Sequence, residues 1–159
     1  ITERMAKADH KEWIESFKTL DKEEYDKVID SAIHPAGGPL KMGEVVTAVS
    51  DAAPQNAVLV NDVGLNQMFS SRYFKYRSPR SIVTSGGLGT MGFCMPAAIG
   101  ATFGAPDRTV LAFMGDGGFQ MNIQELGTIM QTQAPVKMIL MNNTYLGNVR
   151  QWQQMMFQS

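Results

Sequence analysis

The chain has 159 residues, 44% of them hydrophobic and 18% charged, enough for about one domain with a real core and too apolar for a disordered chain. Fourteen basic against fifteen acidic side chains leave a net charge of −1, a balance that argues against nucleic acid or a membrane surface as the main partner. No stretch approaches the roughly 18 apolar residues of a membrane-spanning helix, no signal-peptide pattern opens the chain, and a lone cysteine, Cys94, cannot form an internal disulfide; the expectation is a cytoplasmic globular protein or a piece of one.

Residues 1–30 hold 15 of the 29 charged side chains. Trp13, Phe17 and Leu20 recur there at helical spacing, and Tyr25, Val28 and Ile29 continue the pattern after Asp21. Residues 1–39 therefore read as a charged helical linker or docking segment without chemistry of its own. His34-Pro35-Ala36-Gly37-Gly38-Pro39 breaks any regular element, because proline blocks helix hydrogen bonding and paired glycines are conformationally loose. A domain is expected from 40 to 159. Its helical periodicity starts at Met42–Ala53 and stops at Pro54. The apolar run Ala57–Val60 reads as a buried strand ending at Asn61-Asp62, followed by a helix over Gln67–Phe74 and a strand at Ser81–Thr84. After a glycine-rich turn come a helix through Pro96–Phe103, a strand at Val110–Met114, the sequence Gly115-Asp116-Gly117-Gly118 and a helix from Phe119 to Met130. A strand at Val136–Met141 ends at Asn142-Asn143, and a last helix covers Val149–Phe157. Short apolar strands without alternation, separated by helices, predict an α/β fold: a parallel sheet with helices on both faces. Ligands bind such sheets at the carboxyl ends of the strands, where every motif below is found.

Gly87-Leu88-Gly89-Thr90-Met91-Gly92 matches G-x-G-x-x-G between a strand and a helix, the setting of a dinucleotide fingerprint, and leaves an NAD-binding Rossmann domain as one alternative. Asp116, however, sits between glycines at a strand end, a setting suited to a phosphate rather than to a ribose. A diphosphate needs a divalent cation, and magnesium takes hard oxygen ligands, typically one carboxylate with amide or backbone oxygens. Asn143 ends the next strand, 27 residues after Asp116, so one strand–helix–strand unit brings a carboxylate and an amide to the same rim of the sheet.

The Gly-Asp-Gly answered by Asn-Asn resembles the thiamin diphosphate (thiamine pyrophosphate) signature of 2-oxo-acid-dependent enzymes. The wider stretch is similar to the catalytic large subunit of acetolactate (acetohydroxyacid) synthases. It runs from Asn61-Asp62-Val63-Gly64 through Thr84–Phe93, Pro96–Gly100, Gly115–Phe119 and Asn122–Leu126 to Asn142-Asn143, Leu146-Gly147 and Val149–Gln153. The resemblance implies a thiamin diphosphate-binding fold of the diphosphate-holding (PP) type, C-terminally truncated. Asp116, the Asn143 side chain and the backbone oxygen of Tyr145 would ligate Mg²⁺, and Gly115, Gly117, Gly118, Leu146 and Gly147 would line the diphosphate. Gly64, Leu65 and Asn66 would form another cofactor-contacting turn, Gly89 and Met91 would hold the aminopyrimidine ring, and Trp152 would shape the pocket for the second 2-oxo acid.

The activity so implied condenses pyruvate with pyruvate or 2-oxobutyrate, with loss of CO₂, to 2-acetolactate or 2-aceto-2-hydroxybutyrate, in branched-chain amino acid biosynthesis. Glyoxylate carboligase and pyruvate oxidase chemistry are the alternatives within the same cofactor class. The resemblance also implies a homodimer or homotetramer, a possible small regulatory subunit, FAD in a middle domain and an activating glutamate in an N-terminal domain. Neither domain fits in 159 residues, so no catalytic residue is expected here beyond the pocket residue Trp152. The chain reads as a fragment, inactive alone. It departs from the family pattern at Leu65-Asn66, where Gln-His is usual, at Asn148, where an apolar residue is usual, and at Cys94, where glycine is common.

Overall fold

Leu59 and Val60 leave one strand in opposite directions and are both fully buried, so that strand is covered on both faces. In the computed structural model, which describes residues 9–158, the chain separates into two units, one ending at Lys41 and one starting at Met42. Residues 1–8 of the expected linker lie outside the described residues.

The first unit is helical: α1 (Lys11–Glu24), a single π-helical turn at Tyr25–Ile29 and α2 (Asp30–Ile33) run on without a break. Lys18 pairs with Glu15 at 2.6 Å and Lys27 with Glu23 at 3.1 Å, while the Trp13 and Phe17 rings lie 4.5 Å apart. Solvated pairs at this spacing add only a few tenths of a kcal/mol each.

The second unit contains α3 (Met42–Ala52), β1 (Val58–Asn61), α4 (Leu65–Tyr73), β2 (Ile82–Thr84), α5 (Cys94–Gly104), β3 (Val110–Gly115), α6 (Asp116–Met121), α7 (Glu125–Thr132), β4 (Lys137–Met141) and α8 (Gly147–Phe157). The strands form one parallel sheet in the order β2-β1-β3-β4, with Leu59 beside Ile82, Val58 beside Val110 and Leu111 beside Lys137. Alternate residues feed two cores. Val58, Val60, Val110, Ala112 and Met114 pack with Cys94, Met95 and Ala98 of α5. Leu59, Leu111 and Phe113 pack on the other face with Val46 of α3 and with Phe74. This is the α/β architecture expected from the apolar strands. The chain moves outward from β1 to β2 and then crosses back to β3, so the strand order reverses between β1 and β3, and a crevice opens there.

One predicted helix divides. The stretch from Phe119 to Met130 is split at Asn122–Gln124 into α6 and α7. Asn122 Nδ2 donates to the Gly92 carbonyl at 2.7 Å, and its Oδ1 accepts from Gln124 Nε2 at 3.0 Å. A side chain recruited by a loop 30 residues away outweighs helical periodicity here. α4, α5 and α8 also begin two residues earlier than their periodicity predicts, at Leu65, Cys94 and Gly147.

At the opposite edge of the sheet, Arg108 fastens the starts of β1 and β2. Its Nε donates to the Asn56 carbonyl at 2.6 Å and Nη1 to Arg80 at 3.0 Å; Nη2 reaches Ala57 at 3.2 Å and Ser81 Oγ at 2.8 Å. No helix among the described residues is long and apolar enough to cross a membrane. Arg108→Ala should cost roughly 2–3 kcal/mol in urea unfolding, since several carbonyls lose a charged donor together. Arg108→Lys should recover little of this, because an ammonium cannot span the same fork.

Candidate functional site

Four turns at the carboxyl edge of the sheet enclose a cavity of about 230 Å³. After β1, Val63, Gly64, Leu65 and Asn66 form its first wall. Gly64 has φ +134°, a conformation that a side chain would strain, and its carbonyl accepts the first helical N–H groups of α4, from Gln67 and Met68. After β2, the glycine-rich turn contributes Gly89 and Met91, and after β3 come Gly115, Asp116, Gly117 and Gly118. After β4, the wall is Asn143, Tyr145, Leu146, Gly147, Asn148 and Val149. All thirteen residues that the sequence reading groups around the cofactor therefore line one cavity. Trp152 does not: it lies on α8 one turn past Val149, and its side chain is 58% exposed.

The glycines are small because their neighbours are close. A Cβ on Gly118 would lie 2.8 Å from Asp62 Cγ, and one on Gly115 would lie 3.2 Å from Asn66 Nδ2. On Gly117 it would meet Leu146 Cδ2 at 3.1 Å and Met91 Cε at 3.6 Å; on Gly147 it would collide with the Leu65 side chain. The turns are thus held at backbone distance from one another, leaving main-chain groups as much of the cavity's polar surface.

Two polar atoms are left over. Asn66 Oδ1 and Asn148 Oδ1 are buried, without a hydrogen-bond partner, on residues that line the cavity. Orphaned acceptors at a cavity wall fit a site that a ligand completes. Asn143 Oδ1 accepts the Tyr145 N–H at 3.1 Å, and Asn142 Oδ1 accepts the Thr144 N–H at 3.1 Å, which folds the chain into a tight turn with Thr144 at φ +59°. An amide oxygen with one such bond keeps a second lone pair. The Arg150 guanidinium stacks 3.8 Å from the Tyr145 ring centre and steadies this turn from α8. No group of three or more His, Cys, Asp or Glu side chains suited to a metal gathers among the described residues. The donors on offer at the cavity are one carboxylate, amides and backbone carbonyls, the set that magnesium prefers.

Behind the cavity, Asp62 is 1% exposed and accepts from the N–H groups of Val63, Gly92 and Cys94. The sequence reading placed Asp62 at a strand end and within the stretch that carries the family resemblance, but gave it no role. Met42, Val63, Asn148 and Val149 complete the lining. Val63 and Val149 adjoin assigned residues and could have been found by proximity, whereas nothing in the local sequence marks Met42. Burial, with a smaller contribution from the Asp62 charge, pushes the Cys94 thiol well above the ordinary thiol range, and the thiol donates to the Val60 carbonyl at 3.2 Å.

A protonated, buried thiol is a poor nucleophile, so maleimide should label Cys94 only after unfolding. Gly118→Ala should destabilise the fold by about 1–3 kcal/mol in denaturant titration, because its Cβ meets the Asp62 carboxylate. Gly127→Ala, in α7 with open space around it, should instead stabilise by roughly 0.5–1 kcal/mol.

Comparison with known proteins bears on this site. The chain is 45% identical over 125 residues to the acetolactate synthase isozyme 2 large subunit of Escherichia coli, covering 79% of this chain and 23% of that protein. It is 42% identical over 147 residues to a probable acetolactate synthase large subunit of Methanococcus aeolicus, covering 92% and 24%, respectively. It is 38% identical over 152 residues to the acetolactate synthase large subunit of Lactococcus lactis, covering 96% and 26%. The chain thus spans about a quarter of the length of these relatives. Residues 62–159, more than half of the chain and all of the cavity lining except Met42, match the C-terminal TPP binding domain of thiamine pyrophosphate enzymes, and the chain belongs to that family.

Proposed function

We propose that this cavity holds Mg²⁺ and the diphosphate of thiamin diphosphate, and that the protein is the catalytic subunit of an acetolactate synthase. The observation that carries the reading is the convergence of Asp116, Asn143 and Tyr145 with five backbone-lined positions at one cavity in the sheet's crevice. Asp116 and Asn143 ligate the cation through side-chain oxygens and Tyr145 through its carbonyl. Gly115, Gly117, Gly118, Leu146 and Gly147 face the diphosphate with main-chain groups, and the Gly64–Asn66 turn closes the third side. Gly89 and Met91 support the aminopyrimidine ring, with Met91 stacked towards Gly117. Trp152, exposed on α8, borders the position of the second 2-oxo acid.

When bound, thiamin diphosphate supplies the electron sink for decarboxylation and carboligation of 2-oxo acids. This chain's contribution is to neutralise, orient and bury the diphosphate end. The activating glutamate, an FAD-binding domain, assembly into a homodimer or homotetramer and a small regulatory subunit belong to the same reading, as does a cytosolic setting in which Cys94 stays reduced. The relatives' name, acetolactate synthase large subunit, supports acetolactate formation as the reaction, with pyruvate and 2-oxobutyrate as its substrates in the same reading. The glycine-rich turn from Gly87 to Gly92 then serves the thiamin site: it follows the edge strand β2, away from the crevice strand that a dinucleotide fingerprint opens.

Titration calorimetry of thiamin diphosphate into the protein at its full natural length, with and without Mg²⁺, tests the site. Binding should require Mg²⁺ and weaken about 30-fold or more in Asp116→Ala, the loss expected when one partner of a buried charge pair is removed. Binding that ignores both Mg²⁺ and the substitution would overturn the metal assignment. Pyruvate should yield 2-acetolactate; glyoxylate carboligation or pyruvate oxidation instead would overturn the choice of reaction.

A further inference from the structure

Asp62 carries a buried charge for which the thiamin diphosphate reading has no use. It directly follows β1, is 1% exposed, and has no Lys, Arg or His partner among the ion pairs of the described residues. Its compensation is entirely main-chain. Oδ1 accepts the Val63 N–H at 2.7 Å and the Gly92 N–H at 2.9 Å, and Oδ2 accepts the Cys94 N–H at 3.3 Å. On its other side the carboxylate presses on Gly118, where a Cβ would lie 2.8–2.9 Å from Asp62 Cγ and both of its oxygens.

Three separate segments therefore meet at one carboxylate, and each continues within a few residues into the cavity wall: Val63-Gly64, Gly89–Met91 and Gly117-Gly118. Gly92, whose N–H Asp62 holds, has φ +84° and is tied through its carbonyl to Asn122, so the glycine-rich turn is gripped on both sides of one residue. We infer that Asp62 is a positioning residue: its carboxylate sets the distance between the glycine-rich turn and the α6 floor, and so the width of the cavity. A carboxylate suits this place because three N–H groups converge on its two oxygens. An asparagine offers one oxygen and turns its own NH₂ towards N–H groups that are already buried, so at least one of the three N–H groups loses its acceptor.

The inference rests on the thiamin diphosphate reading for its probe, and the test separates the two. Asp62→Asn and Arg108→Ala are compared with the wild type at full natural length, at a temperature where circular dichroism finds all three folded. Asp62→Asn should bind thiamin diphosphate with Mg²⁺ about tenfold more weakly or worse, a loss typical of supporting groups. Its Gly92 and Cys94 amide protons should also exchange faster. Arg108→Ala, destabilised at the far edge of the sheet, should keep the wild-type affinity. Folded Asp62→Asn binding within twofold of the wild type overturns the inference, and so does an equal loss in Arg108→Ala, which would make it a stability effect. If Asp62→Asn fails to fold, exchange in the ligand-free wild type decides: strong protection of the Gly92 and Cys94 amides supports the latch, and rapid exchange overturns it. A wild type that does not bind thiamin diphosphate sinks the functional reading alone, because the exchange arm needs no ligand.

Discussion

In a parallel sheet every crossover returns the chain to the same starting edge, so every strand-to-helix turn falls on the opposite edge. The rest of this molecule depends on that constraint. With the order β2-β1-β3-β4, the turns after all four strands are gathered side by side, and the reversal between β1 and β3 parts them enough to leave a crevice. Turns this close cannot all carry side chains. The space lost at Gly115, Gly117, Gly118 and Gly147 to Asn66, Leu146, Asp62 and Leu65 is the local expression of that crowding. Glycine solves the steric problem and at the same time bares the main-chain groups that a diphosphate requires.

Gathering turns leaves them without the ladder that stiffens the strands, and side-chain hydrogen bonds, to backbone and to other side chains, tie them instead. Asp62 grips the glycine-rich turn and the start of α5, while Asn122 holds the Gly92 carbonyl from beyond α6. Asn61 Nδ2 reaches Ser70 Oγ and Ser71 Oγ on α4, and Gln67 Nε2 reaches Thr84 Oγ1 at the end of β2. These bonds join separate elements and turns around the crevice, and those made by Asp62 satisfy a carboxylate that would be costly to bury alone. The starting edge is organised differently. There Arg108 gathers carbonyls with one guanidinium, and the consequence is stability rather than chemistry.

What the sequence makes legible follows from which forces are local. Strands β1 and β3 are apolar on both faces, so burial alone marks them, and the Gly-Asp-Gly and Asn-Asn turns mark where they and β4 lead. The residues so marked line one cavity because the parallel topology leaves them no other place. Helix boundaries were less legible. α4 and α8 start at Leu65 and Gly147, before their periodic residues, because their first turns belong to the cavity wall and are not shaped by core packing. The break at Asn122 and the hub at Asp62 were illegible for a common reason: their partners stand about 30 residues away, and no local pattern shows a carboxylate in need of three N–H groups. Met42 joins the cavity from the start of α3, again through tertiary placement alone.

The departures from the family pattern fall where this architecture is built from side chains. Leu65 stands where glutamine is usual, and its side chain lies against Gly147 at the head of α8; Asn66 stands where histidine is usual, and its amide backs Gly115. Both replacements touch a glycine that the diphosphate reading uses, and both lie in one turn. Backbone donors on the β3 and β4 side are indifferent to such exchanges, since a main-chain N–H survives any substitution except proline. Side chains are not: Leu65 makes the wall after β1 apolar, and the buried amide oxygens of Asn66 after β1 and of Asn148 after β4 are unmatched. On the proposed reading, the diphosphate would lie in a cradle of main-chain groups that tolerates sequence change, while the side chains of Leu65, Asn66 and Asn148 line the same cavity around it.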